Sequence, residues 1–132
     1  MVIGIMGAMP AEVDLLCQKL SGVTQEEYAG VTYHRGALAG KQVVVCCAGM
    51  GKANAAATVQ VLCGRYGAEK IIFSGIAGNM SAAIGIGDVC VGKLVVYHDA
   101  DTRCIVQSAP FLEEFPGDPA LVRCALDACA AC

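Results

Sequence analysis

Residues 2–8, VIGIMGA, are apolar without a break, the pattern of a strand covered on both faces. The period then lengthens. Val13, Leu16, Cys17 and Leu20 fall at i, i+3, i+4 and i+7, one stripe of a helix. Pro10 suits the first position of that helix, and Ser21 with Gly22 is expected to close it. The segment EEYAGVTYHRGALAGKQVVVCCAG predicts three strands in a local antiparallel meander, turning at residues 29–30 and 39–40. Residues 43–47 are apolar on both faces, as in a central strand. A second helix is expected from about Lys52, with Val59, Leu62, Cys63 and Tyr66 as its stripe and Gly67 as its stop. Residues 70–74 form another apolar strand, and GDVCVGKLVVYHDAD one or two more. Residues 102–117 have no period and are expected to be a loop. Asp118 and Pro119 then open a last helix with a good cap and first-turn pair.

This order predicts an α/β fold, a mixed β-sheet flanked by helices, in a single domain over residues 1–132. The last helix has no following strand to pack beside. The fold is therefore expected to be incomplete at its C-terminal side.

Composition removes several classes of function. A chain with 56% hydrophobic and 16% charged residues folds rather than staying disordered. A net charge of -3, with no basic cluster among aromatics, excludes nucleic acid as the expected partner. No run approaches the roughly 18 apolar residues of a membrane span, and the first apolar run lacks the basic flank of a signal peptide. The nine cysteines are odd in number and spread through strand-like and helix-like runs. That is the distribution of reduced cysteines used as small hydrophobes, and it points to the cytoplasm. Cys129-Ala-Ala-Cys132 matches both a CxxC motif and a prenylation box in form. It ends a helix instead of starting one, and lacks the larger aliphatics of a prenyl signal, so two more helix cysteines is the better reading.

Three strands end in glycine-rich turns: Gly7-Ala8-Met9, Ala48-Gly49-Met50-Gly51-Lys52, and Ser74-Gly75-Ile76-Ala77-Gly78-Asn79-Met80. In an open α/β sheet these strand ends form the ligand crevice. A Walker loop is excluded because position 46 is Cys and Ala53 follows Gly51-Lys52. None of the four arginines lies in any of the turns, which argues against a phosphate ligand. The crevice suits an uncharged ring and sugar. No metal or cofactor is expected. His98, Asp99 and Asp101 are better read as a polar strand end than as metal ligands. Glu12 lies in the first turn of the first helix, where the helix dipole favours an acid. Position 9 is Met, so a capping box is not expected, and the Glu12 side chain should be free to face the crevice.

The motifs IGIMGAMPAEVDLL, AGMGKANAA, FSGIAGNM, GDVCV and YHDAD stand in an order and spacing that resemble the 5'-methylthioadenosine/S-adenosylhomocysteine nucleosidases of the purine nucleoside phosphorylase superfamily. The resemblance runs through the first hundred residues and weakly through the last helix. It implies hydrolysis of an N-glycosidic bond, releasing adenine and a 5-thio-ribose. It implies Glu12 as the base that activates water, Met9 against the ribose, and Ala77 and Gly78 along the base and ribose side. It also implies an adenine nucleoside as the small-molecule partner and a homodimer as the assembly. Ile76 stands where some members carry a small hydroxyl residue.

Family members run nearly as long again past residue 132. That further part carries the aspartate that protonates adenine and the glutamate that grips the ribose hydroxyls. Glycosidic cleavage through an oxocarbenium-like state calls for acid on the leaving group as well as base on water. Asp99 and Asp101 are the nearby candidates for a replacement acid. Two other readings follow from the same residues: a non-catalytic remnant that binds purine nucleosides or a partner chain, and a related nucleosidase or phosphorylase with a different base.

Overall fold

The computed structural model describes residues 1–131. Two compact units form along the chain, Met1–Gly78 and Asn79–Cys132. The first contains β1 (Val2–Gly7), α1 (Pro10–Gln18), β2 (Ser21–Tyr28), β3 (Val31–Leu38), β4 (Lys41–Cys47), α2 (Lys52–Gly64) and β5 (Ala68–Phe73). Its sheet has the order β2-β3-β4-β1-β5. β1 runs parallel to both β4 and β5, while β2, β3 and β4 form the antiparallel meander. The mixed sheet flanked by helices is the one the hydrophobic pattern predicts.

β4 holds the centre because its apolar residues serve two cores at once. Val44 and Cys46 join Met6, Tyr33 and Leu62 on the α2 face. Val43 and Val45 join Ile5, Val13 and Leu20 on the α1 face. Alternation of side chains across a strand makes this division, so every residue from 43 to 46 is buried. The predicted α1 stripe is confirmed, with Val13 and Leu20 buried and Leu16 and Cys17 packed beside them.

Local details differ from expectation where chain ends compete. α1 ends at Gln18 with Lys19 as its cap, because Ser21 already starts β2. Gly22 is therefore no helix stop. It sits at φ 62°, where the β2–β3 register shifts. α2 ends at Gly64, so Tyr66 lies beyond it but still packs with Val59 and Leu62 on one core, whereas Cys63 is exposed. Thr58 takes the inner place instead, one turn before Leu62 and sharing a hydrogen bond with Tyr33.

The second unit contains β6 (Leu94–Val95), α3 (Thr102–Ile105), β7 (Phe115–Pro116) and α4 (Pro119–Ala130). Only two residues of GDVCVGKLVVYHDAD form a strand, and the expected loop 102–117 holds a helical turn and β7. Both elements are too short to leave a period in sequence. Their causes are local: Asp101 caps α3, and Phe115 pairs with Val95 and meets the Tyr97 ring edge-on. α4 begins as expected, with the Asp118 carboxylate accepting from the N–H groups of Ala120 and Leu121.

The cysteines divide more sharply than a common core role predicts. Cys46 is buried, Cys17 and Cys47 are half-buried, and the other five described cysteines are exposed. Cys129 lies on α4, and Cys132 lies outside the described residues. No helix among the described residues is long and apolar enough to cross a membrane.

Candidate functional site

The parallel strands β4, β1 and β5 end side by side, and backbone hydrogen bonds continue past them. Ala48 N donates to Gly7 O at 2.8 Å, and Ser74 N donates to Met6 O at 2.9 Å. The three glycine-rich turns are thereby fixed abreast at the carboxyl edge of the sheet. In an open α/β sheet this is the ligand side.

Glu12 stands in the middle of this edge, half-buried in the first turn of α1. Its Oε2 accepts from Ala8 N at 2.6 Å and from Met9 N at 2.9 Å. Its Oε1 accepts from Ile76 N at 3.0 Å. The side chain is thus anchored and not free, which corrects the expectation drawn from Met9. A glutamate at the third helical position needs only the backbone N–H of the cap residue to form its half of a capping box. The cap's own side chain supplies no hydrogen bond.

These donors set the charge. The Ile76 N–H, then the Met9 N–H, hold the Glu12 carboxyl below the ordinary carboxylate range, against a smaller opposing effect of burial and with further help from Ala8. Hydrogen bonds to the ionised form favour that form. Glu12 is therefore kept as a carboxylate.

Two glycines make room for it. A Cβ on Gly75 would lie 2.6 Å from Glu12 Oε1 and 2.9 Å from its Cδ. A Cβ on Gly7 would lie 2.9 Å from Glu12 Cβ and from Val13 Cγ1. Gly75 and the N–H groups of Ala8 and Ile76 were not singled out by sequence reasoning. The trace they leave there is the pair of glycine-rich turns at the ends of β1 and β5.

Met9 is brought beside Glu12 as the cap residue of α1. Ala77 and Gly78 continue the turn that begins at Gly75, are exposed, and close the first unit; a Cβ on Gly78 would meet nothing within 4 Å. In the third turn, Gly51 caps α2 at φ 102°, and Asn54 Nδ2 donates to Met50 O at 2.8 Å.

The arginines have other tasks. Arg65 pairs with Glu26, lies 4.3 Å from the centre of the Tyr28 ring, and shares Glu26 with the Tyr66 hydroxyl. Arg103 pairs with Asp101 at 2.6 Å. That pairing, with the Arg103 N–H, holds the Asp101 carboxyl below its ordinary range. Asp101 is thus held as a carboxylate that caps α3. Among the described residues, no group of three His, Cys, Asp or Glu side chains could hold a metal ion.

Known proteins resemble this chain in sequence and fold. A sequence model described as the phosphorylase superfamily matches residues 2–131. The 5'-methylthioadenosine/S-adenosylhomocysteine nucleosidase of Colwellia psychrerythraea is 36% identical over 117 residues, which are 89% of this chain and 47% of that protein. The crystal structure of the Colwellia nucleosidase in complex with adenine superposes with a TM-score of 0.90 at 34% identity, covering 96% of this chain and 54% of that one. The Neisseria meningitidis nucleosidase in complex with methylthio-immucillin-A gives 0.91 at 28% identity, covering 98% and 58%. The chain thus spans about half the length of the curated relatives it matches. A match over nearly every residue, on a sheet whose strand ends gather around one buttressed glutamate, shows that the chain belongs to the phosphorylase superfamily.

Proposed function

We propose that this chain supplies the water-activating side of a nucleosidase site that hydrolyses 5'-methylthioadenosine and S-adenosylhomocysteine to adenine and a 5-thio-ribose. The observation that carries this reading is the state of Glu12. A carboxylate offers about four lone-pair positions, two on each oxygen. Ala8 and Met9 take both on Oε2, and Ile76 takes one on Oε1. The remaining position on Oε1 can accept a hydrogen bond from a water. As that water attacks the ribose carbon, its proton passes to Oε1, the electron pair of the N-glycosidic bond goes to the adenine ring, and adenine takes its proton from a second acid. Met9, Ala77 and Gly78 are proposed to flank the nucleoside. The lack of arginine in the three turns favours water over phosphate as nucleophile.

The ligand is a small adenine nucleoside with a 5'-thio substituent, and the reading needs no cofactor. A cytoplasmic home fits the free thiols. A homodimer fits the outer edge of β5, the last strand in its sheet, where Ile72 and Phe73 are exposed.

The test joins this chain to the C-terminal half of the Colwellia relative and measures adenine release from methylthioadenosine. Turnover that falls when Glu12 becomes Gln supports the reading. Equal turnover in the two proteins removes Glu12 from the reaction.

A further inference from the structure

Cys17 and Cys47 line one cavity of about 430 Å³ between α1 and the strands β3 and β4. Their placement follows from the two periods of the chain. Cys17 lies one turn beyond Val13, on the face of α1 that meets the sheet. Cys47 follows Val43 and Val45 on the α1 face of β4. Both thiols pack against the same core cluster, and both stay half-exposed. Cys46 shows what the alternative looks like. It faces the other core, is fully buried, and its thiol is pushed up to about 12, mainly by burial.

The cavity is larger than two sulfurs need. Its other walls include Pro10, Val13 and Val31, which offer apolar surface to a flat ring. Cavities of about 300–1,000 Å³ are the usual size for small-molecule sites. Asp14 and His34 also line the cavity, but among the described residues no group of three His, Cys, Asp or Glu side chains could hold a metal ion. Burial, then the Asp14 charge, raises the Cys17 thiol, which therefore stays protonated at neutral pH. A reagent that condenses with two thiols and expels water is well served by such a pair.

We propose that Cys17 and Cys47 form a dithiol site on the α1–β4 seam that is bridged by a trivalent aryl arsenical. The arsenic–oxygen bond of R–As=O and the two S–H bonds break, two As–S bonds form, and both protons leave with the oxygen as water. Arsenic stays trivalent, so no oxidant or reductant takes part. The aryl group rests against Pro10 and Val13. The bridge pins α1 to β4 five residues from Glu12, without using the N–H groups that hold the Glu12 carboxylate. This inference is independent of the nucleosidase reading.

Phenylarsine oxide is the probe. The chain with Cys63, Cys90, Cys104, Cys124, Cys129 and Cys132 replaced by Ser keeps only Cys17, Cys46 and Cys47. Native intact-mass measurement should show one adduct per chain, reversed by ethanedithiol, with circular dichroism unchanged. Cys17→Ser and Cys47→Ser should each abolish the adduct, and Cys46→Ala should keep it. Peptide mapping of the unaltered chain should place arsenic across the peptides of Cys17 and Cys47. No adduct under native conditions, an adduct that survives Cys17→Ser, or a bridge between Cys46 and Cys47 would each overturn the proposal.

Discussion

Ile76 N donates to Glu12 Oε1 at 3.0 Å, a contact between residues 64 apart in sequence. It fastens the turn after β5 to the first turn of α1, across the end of β1. The carboxylate is therefore held from both sides, by Ala8 and Met9 of its own turn and by Ile76 of the other. Such a group is positioned by the sheet rather than by its own rotamer.

Gly75→Ala should separate position from stability. The new Cβ would meet all three carboxyl heavy atoms of Glu12 within 3.1 Å. These are the far end of a flexible side chain, so the fold survives and the carboxylate moves. Glu12 loses the Ile76 hydrogen bond, and its pKa rises toward the ordinary range. A carbon-13 titration of the Glu12 carboxyl should show that rise. An unchanged titration would mean that Gly75 does not guard the carboxylate.

Glu12→Gln keeps the shape of the side chain and removes the base. In the chimera with the Colwellia C-terminal half, kcat should fall by at least about 10²-fold, the lower end of general-base catalysis, with ligand affinity within a few-fold. The unaltered chain should bind methylthioadenosine more tightly than AMP, since its turns carry no arginine. Calorimetry checks both affinities, and preference for AMP would defeat the nucleosidase assignment.

The same carboxylate predicts a direction for acid stability. Its folded pKa lies below the ordinary 4.5, so the unfolded chain binds more protons in that interval. Its contribution is present above pH 4.5 and is lost as pH falls through the lower, folded value. Glu26, held down by Arg65 and Tyr66, acts in the same sense. Urea unfolding from pH 6 to pH 3 should show stability falling with acid, and less steeply in Glu12→Gln. Equal slopes would contradict the hydrogen-bonded state of Glu12.

Legibility in the sequence follows the range of the interaction. Residues 43–47 announce a central strand because both faces are apolar, and the α1 stripe announces the side it covers. α3 and β7 are invisible because four and two residues leave no period. The anchoring of Glu12 is hidden for a different reason. Its donors are backbone N–H groups, which every residue but proline carries, so no side chain marks them. Reading Met9 as the loss of a capping box missed that the carboxylate half asks nothing of the Met9 side chain.

β5 sets the last expectation. It is the outer strand of its sheet, paired only with β1, and it presents Ile72 and Phe73 to solvent. Glu69 and Lys70 blunt its first half, but the apolar end at residues 71–73 is a template for another strand. The chain of 132 residues should therefore self-associate as its concentration rises. It should also release little adenine by itself, because Asp101, one of the two candidate acids, is tied to Arg103 as the cap of α3. Ile72→Lys should shift light scattering toward monomer without changing circular dichroism. Association that persists unchanged in Ile72→Lys would place the contact elsewhere than on β5. A monomer with ordinary turnover would show instead that an acid within this chain serves the leaving group.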